Sequence, residues 1–415
     1  MRKIYVCLLV GVLLSANQLF AQTDADRIKS LEEKVDMLTK QLGLDKEEVI
    51  VDSTAPKLTF NERVDEKIDA VKKKIPFDIS GSIDVYSQVN FLGKRTNDVR
   101  YRVFDTKANS FELGMFNLMM SKTFKRVTFL GDIAFGPRAN IANYSFNPLV
   151  STTSFALKQL YIAYEPVDGL KFTLGNFSTY FGYELIEANN NFHYSCSEAF
   201  LNGPFYHTGF KMNYNKNKFG FMVGFFNDTD TKSDGDRNKF VGAQVSYADD
   251  KTSVYLNYIG GNQRNYGNSI VDSIYKQNYK FGLGLTAATR IKGKGTIALD
   301  AAYYVFRQKT FAAPNTITRP WYFTAYVYGN GDINDMVSIG ARVGYLNNTQ
   351  AIAPSLDAVS AHIADLTLTI PIKVGPMRLV PEFRMDYSSE KVFVKRNGDP
   401  WNFQTTLGLA AIVSF

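Results

Sequence analysis

The chain has 415 residues, of which 45% are hydrophobic and 14% aromatic, and its formal net charge is +7. The excess falls to about +5 if Arg2 and Lys3 leave with a leader, and no Lys/Arg block suggests nucleic-acid binding. Beyond Ala21, no stretch has the roughly 18 uninterrupted apolar residues that a membrane-spanning helix needs. Cys196 would be the one cysteine left after such a leader, and the chain has three histidines. We therefore expect no disulfide, metal or cofactor.

The first segment has the pattern of a secretion signal. Residues 1–3 are a short basic start, residues 4–14 are an apolar core, and residues 19–21 offer small-residue cleavage chemistry. The apolar core is too short for a membrane anchor. We predict that residues 1–21 are a signal peptide cleaved after Ala21.

Residues 22–76 have helical rather than strand periodicity. Apolar residues recur at a and d positions, at Ile28, Leu31, Val35, Leu38 and Leu42. Pro76 ends the segment before the first strand. We predict a periplasmic helical or coiled-coil segment that joins protomers as a homotrimer. The alternative is a solitary amphipathic helix that packs on the rest of the protein.

Residues 77–415 divide into about sixteen runs of alternating apolar and polar residues. Tight turns such as Lys125-Arg126 alternate with long polar connections such as 93–109 and 187–203. Short turns on one rim and long loops on the other are typical of an outer-membrane barrel. A propeller would show an internal repeat of about 40–50 residues instead. We therefore predict an all-β fold, a transmembrane antiparallel up-and-down β-barrel.

The last strand-like run supports the same fold class. From Phe403 onward the odd positions are mostly apolar and the even positions mostly small or polar, and the run ends on Phe415. A terminal Phe on such a strand resembles the assembly signal of bacterial outer-membrane barrels. We expect the barrel-assembly machinery, outer-membrane lipid and lipopolysaccharide to be partners.

Charged residues on several predicted strands lie opposite an apolar face. A Lys or Arg facing the middle of the bilayer costs about 2–4 kcal/mol, so these side chains are expected to face a water-filled lumen. The predicted lumen-lining residues are Asp78, Asp84, Asp132, Arg138, Lys211, Lys280, Asp300, Arg342, Arg378, Glu382, Arg384 and Asp386. Acidic and basic members nearly balance, so the sequence does not predict whether the channel prefers anions or cations.

The densest unusual sequence surrounds the third long connection. The segments are Phe181–Glu187 (FGYELIE), Asn191–Ser195 (NFHYS) and Gly203–Gly209 (GPFYHTG). Together they resemble the OmpL-like β-barrel porin family over roughly residues 155–230. The resemblance implies an outer-membrane channel of a Bacteroidota-like bacterium and supplies no established set of binding residues.

A constriction follows by analogy with sixteen-stranded general porins, whose third loop folds into the barrel. Residues 187–203 would then enter the lumen here. Glu184, Glu187 and His193 would face the basic residues Arg138 and Lys211, and the opposed charges would favour polar solutes. The alternative is a loop that only covers the barrel mouth.

The predicted function is passive diffusion of small hydrophilic solutes through a water-filled channel. A porin selective for phosphate, another anion or a sugar remains an alternative. A phospholipase-like barrel enzyme would need a Ser–His pair, and His193 and Ser195 are the available residues. No nucleophile elbow accompanies them, so we predict no enzyme. The loops are short for a structural or adhesive barrel.

Overall fold

The computed structural model describes residues 77–91, 93, 98–143, 156–234, 237–262, 279–291, 294–310, 313–348 and 359–415. The predicted signal peptide and helical segment lie outside these residues. Among the described residues, no helix has the length and hydropathy required to cross a membrane.

Sixteen antiparallel strands close into one barrel, which confirms the predicted fold class and strand count. They are β1 (Asp78–Asn90), β2 (Ser110–Phe124), β3 (Val127–Phe135), β4 (Leu157–Val167), β5 (Leu170–Ser178), β6 (Tyr206–Lys216), β7 (Phe219–Phe226), β8 (Phe240–Ala248), β9 (Thr252–Asn262), β10 (Tyr279–Ile291), β11 (Gly295–Thr310), β12 (Trp321–Asp332), β13 (Ser338–Asn348), β14 (Ala361–Thr369, continued by Ile372–Val374), β15 (Met377–Ser388) and β16 (Phe403–Ser414).

The barrel closes between β1 and β16. Strand β1 pairs with β2 on one side and with β16 on the other. The backbone N–H of Gly81 donates to the carbonyl of Phe415 at 3.0 Å, and the N–H of Phe415 donates to Gly81 at the same distance. Closure pairs the strand edges that an open sheet would expose.

Connections alternate in length as the sequence predicts. One rim carries the short connections, such as 125–126, 168–169 and 217–218. The other rim carries long connections, here numbered loop 1 (91–109), loop 2 (136–156), loop 3 (179–205), loop 4 (227–239) and, last in the chain, loop 8 (389–402). Long loops therefore share one mouth of the barrel.

The strands alternate exposed and buried side chains because successive residues point to opposite faces of a sheet. Strand β7 is a clear case, with exposed Phe219, Phe221, Val223 and Phe225 alternating with buried Gly220, Met222, Gly224 and Phe226. The exposed apolar set suits lipid, and the buried set faces the barrel interior.

Two short helices lie in the long loops. Helix α1 (Pro137–Ala142) belongs to loop 2, and helix α2 (Glu198–Asn202) belongs to loop 3. The side chain of Ser197 caps α2 by accepting the N–H of Phe200 at 3.2 Å. Capping satisfies one of the N–H groups that a helix start leaves without a partner.

Candidate pore constriction

Loop 3 crosses the barrel interior. Its Tyr183 N–H donates to the Asp300 carboxylate on β11 at 3.1 Å. Its Tyr194 hydroxyl donates to Asp84 on β1 at 2.7 Å, and its Cys196 carbonyl accepts from Arg384 on β15 at 2.6 Å. These strands lie on different sides of the barrel, so the loop spans the lumen.

The loop is longer than predicted. Strand β5 ends at Ser178, so loop 3 begins at Thr179 rather than at residue 187. Gly182 adopts a φ of 84°, a conformation that side chains with a Cβ rarely adopt and that favours a turn over a strand. Glu184 therefore lies on the inserted loop rather than on its flanking strand.

Glu184 is held by a buried cation and by its own loop. Its carboxylate accepts from Arg342 of β13 at 2.8 Å and from the N–H and hydroxyl of Ser197 at 2.7 and 2.6 Å. Glu184 and Arg342 are 4% and 0% exposed, so water screens the pair little. Arg342 thus holds loop 3 against the barrel wall at β13.

Glu187 is paired with a residue that the sequence did not reveal. The Lys158 ammonium of β4 contacts Glu187 and also Asp132 of β3, the latter at 2.8 Å. Lys158 is the extra residue where Asp132 pairs with Gln159 and the next β3 residue pairs with Leu157. Such a β-bulge turns the Lys158 side chain inward, although strict alternation would point it outward.

Arg138 does not lie on a strand, contrary to the prediction. Strand β3 ends at Phe135, and Gly136, with a φ of 113°, leads into helix α1. The Arg138 guanidinium nitrogen Nε lies 3.6 Å from the Asp84 carboxylate, and Nη1 donates to the carbonyl of Ile186 at 3.1 Å. Helix α1 of loop 2 therefore places the Arg138 guanidinium in contact with loop 3.

Lys211 lies on the wall as predicted, but away from the loop carboxylates. Its ammonium lies 4.1 Å from the centre of the Phe177 ring. Throughout the described residues, no carboxylate oxygen lies within 4.0 Å of this ammonium. The predicted pairing of Glu184 and Glu187 with Arg138 and Lys211 is therefore wrong, because Arg342 and Lys158 take those places.

His193 is a buried member of loop 3. Its Nδ1 lies 2.7 Å from the Thr369 hydroxyl of β14. Burial and the positive charge of Arg342 lower the pKa of His193. The Ser195 hydroxyl lies 3.4 Å from Arg342. His193 and Ser195 thus bind different wall residues.

A network of charges joins loops 1 and 3 to β13–β15. Arg384 lies 2.8 Å from Asp386, and Arg102 of loop 1 lies 2.9 Å from both Asp386 and Asp105. Asp365 lies 3.3 Å from Arg342 and 3.8 Å from Arg384. Each charge is thereby compensated inside the barrel, as burial requires.

A model of the family described as "Putative beta-barrel porin-2, OmpL-like" matches residues 76–415. The chain belongs to this family. It is a porin of the bacterial outer membrane, as predicted. No curated protein matches the chain.

Solved outer-membrane proteins share this porin's fold at low identity. The outer membrane channel DcaP of Acinetobacter baumannii is 13% identical, with a TM-score of 0.54, covering 82% of this chain and 97% of that one. OmpT of Vibrio cholerae is 10% identical, with a TM-score of 0.52 and coverage of 82% and 97%. An anion-selective porin from Comamonas acidovorans is 9% identical, with a TM-score of 0.52 and coverage of 82% and 99%.

Most predicted lumen-lining residues of this porin point inward, but few of them face open water. The buried ones are Asp84, Asp132, Asp300, Arg342, Glu382, Arg384 and Asp386. Lys211, Lys280 and Arg378 are half-buried, and Asp78 is exposed at the start of β1. We expected a hydrated wall; instead loops 1–3 cover much of it, because their donors and acceptors satisfy the buried charges.

Sequence reasoning missed four members of the site for different reasons. Asp365 follows the same alternation rule as the others and could have been found. Lys158 is hidden by its β-bulge. Arg102 and Asp105 lie in loop 1, where no periodicity predicts a direction. Across the described part of the chain, no group of three or more His, Cys, Asp or Glu side chains could hold a metal ion.

Proposed function

We propose that this porin passes small hydrophilic solutes by passive diffusion and that loop 3 is its narrowest element. The observation that carries the proposal is the attachment of one loop to opposite walls, through Glu184–Arg342 and Glu187–Lys158. Paired and hydrogen-bonded anchors hold a loop in one position. The solute path then runs beside loop 3.

Planar-bilayer conductance tests this proposal. Residues 187–203 are replaced with a short Gly/Ser linker, and the wild type and variant are compared at equal salt. We expect a higher single-channel conductance, and a larger sugar cutoff in proteoliposome swelling. Heat-modifiable migration in electrophoresis serves as the control for a closed barrel. Unchanged conductance and cutoff in a folded variant would place the constriction elsewhere.

We propose transport rather than catalysis. His193 and Ser195 are each held by a different wall residue, and both are buried. A phospholipase reaction would need a Ser–His hydrogen bond. The check is lipid hydrolysis by the purified porin, with Ser195→Ala as the matched variant. Hydrolysis that disappears in Ser195→Ala would contradict the proposal.

We also propose that protomers associate as a homotrimer, helped by the a/d residues predicted within 27–42. The fold is shared by a trimer form of Vibrio cholerae OmpT, which is 12% identical with a TM-score of 0.50. Deleting residues 22–75 and measuring native mass distinguishes association through this segment from association through the barrel wall. A smaller assembly supports the segment, an unchanged assembly assigns the contact to the barrel wall, and a monomer throughout contradicts the trimer.

A further inference from the structure

Four inward cations form a separate group, here called the basic track. Lys171 of β5 and Arg290 of β10 are exposed near the short-turn rim, Lys211 of β6 is half-buried at mid-height, and Lys280 of β10 is half-buried near the loop rim. Lys211 is paired in register with Thr173, two residues along β5 from Lys171. The basic track thus extends over the height of the barrel on the side of β5–β10.

Electrostatic interactions link three members of the basic track, Lys171, Lys211 and Lys280. Lys211 interacts electrostatically with Lys171, and the His207 imidazole interacts with both Lys211 and Lys280. Like charges that share a narrow lumen reinforce one another's potential, because low-dielectric walls confine the field.

The members of the basic track have no ion-pair partner among the described residues. Within the described residues, no carboxylate oxygen lies within 4.0 Å of the ammonium of Lys171, Lys211 or Lys280, or of the Arg290 guanidinium. The carboxylates near the short-turn rim have other partners. Asp168 pairs with Arg126, and Glu165 accepts the N–H of Gly169.

Two carboxyls of loop 4 lie near Lys280, at the loop-rim end of the basic track. Asp228 and Asp230 both interact electrostatically with Lys280. Burial raises the pKa of each carboxyl to about 6. They therefore oppose Lys280 less as the pH falls toward 6.

The lumen carboxylates that contact loop 3 are buried. Its ion pairs occupy Glu184 and Glu187, as described above. Glu382 and Asp300 are 8% and 3% exposed, and they accept N–H groups of loop 3. Loop 3 thus covers these carboxylates by pairing with them or donating to them.

Aromatic rings lie under two members of the basic track, Lys211 and Lys280. Lys211 lies over Phe177, and the Lys280 ammonium lies 5.7 Å from the Tyr304 ring centre and 5.8 Å from that of Phe306. Rings can offer an ammonium a cation–π contact and offer no competing anion. The positive charges are thus held at the wall while remaining able to attract a passing anion.

We propose that the basic track makes this porin selective for small anions over cations and over neutral solutes of equal size. The inference rests on the proposed channel function. Counter-ion concentration rises wherever uncompensated charge of one sign lines a confined path, so anions enter more often than cations or neutral solutes of equal size.

The experiment measures the reversal potential of single channels under a potassium chloride gradient. We expect chloride to permeate several-fold better than potassium in the wild type. Lys171→Gln, Lys211→Gln and Lys280→Gln combined should bring the permeability ratio toward unity. Lys211→Arg keeps the charge and should keep the ratio. Lys251→Gln, in an exposed short turn, is the matched surface control.

Proteoliposome swelling supplies the organic solutes. Gluconate should enter faster than glucose through the wild type, and the triple variant should lose that difference. No conductance from folded wild-type protein would overturn the channel itself. A conducting wild type that favours potassium would overturn only the anion preference. An anion preference that survives in the triple variant would show that the basic track does not create it.

Discussion

At the scale of single residues, burial decides which charges pair. Arg342 and Lys158 each bind two carboxylates because isolated charges in the barrel interior are costly. A buried ion pair therefore holds loop 3 at one position more than it adds net stability.

Arg342→Met should be strongly destabilising. The substitution leaves Glu184 without its cation and removes one of the two cations near Asp365, and breaking a buried pair costs about 3–5 kcal/mol. The free energy of unfolding can be measured by urea titration in lipid vesicles. Glu184→Met with Arg342→Met should lose less than Arg342→Met alone, because the double change removes the stranded carboxylate. Equal losses would show that the pair is not coupled.

Gly114 is a position where a single methyl group should disturb the wall. A Cβ there would lie 1.7 Å from the Asp84 carboxylate and 2.9 Å from the Asp84 carbonyl oxygen. We expect Gly114→Ala to lower the free energy of unfolding by about 1–3 kcal/mol, as overpacking does. Gly131→Ala is the matched control, because no atom lies within 4 Å of the added Cβ. Equal effects at both glycines would contradict the steric argument.

At the scale of elements, the loops complete a barrel whose wall is already charged. Loop 1 supplies Arg102, loop 2 supplies Arg138 and loop 3 supplies Glu184, each to a wall residue of opposite charge. A chain segment with buried polar groups must find such partners. The strands therefore determine where the loops can fold.

Loop 4 should dock in a pH-dependent way. Burial raises the pKa of Asp228 and Asp230 to about 6, so the docked loop binds more protons than the released loop between the ordinary carboxyl range and pH 6. Docking is then strongest at low pH and weakens as pH rises through 6.

Hydrogen exchange measured by mass spectrometry checks the docking of loop 4. Protection of the loop 4 amides, corrected for intrinsic exchange rates, should fall between pH 4 and 7. Asp228→Asn with Asp230→Asn should remove that dependence while leaving oxygen acceptors for the N–H groups of Phe205 and Tyr206. A wild type with constant protection would refute the linkage.

At the scale of the whole molecule, closure fixes the two rims. Sixteen strands return the chain to its first strand, so every long loop lies on one side and every short connection on the other. Outer-membrane barrels place the short turns toward the periplasm.

Trypsin added to intact cells tests that orientation. Arg396 is exposed in loop 8, whereas Lys125 and Arg126 are exposed in a short turn. We expect cleavage after Arg396 in intact cells, and cleavage at Lys125-Arg126 only after the outer membrane is permeabilised. Lys395→Gln with Arg396→Gln should abolish the cut at this place in loop 8, because trypsin also cleaves after the exposed Lys395. A cut at Lys125-Arg126 in intact cells would invert the topology.

The barrel follows from local sequence patterns alone. Alternation gives each strand a lipid face and a lumen face, because the side-chain period of a strand is two, and the lengths of the connections sort the rims. The same rule placed Arg342, Arg384 and Asp386 inside without any structural information. These features depend only on neighbours along the chain.

The pairing of charged side chains within the lumen depends on the folded barrel. A β-bulge turns Lys158 inward, a glycine turn places Glu184 on loop 3, and helix α1 takes Arg138 off the wall. Each of these is a local break in periodicity, so alternation cannot foresee it. Which charges remain uncompensated, as Lys211 does, depends on contacts between segments far apart in sequence, and those distances are fixed only when the barrel closes.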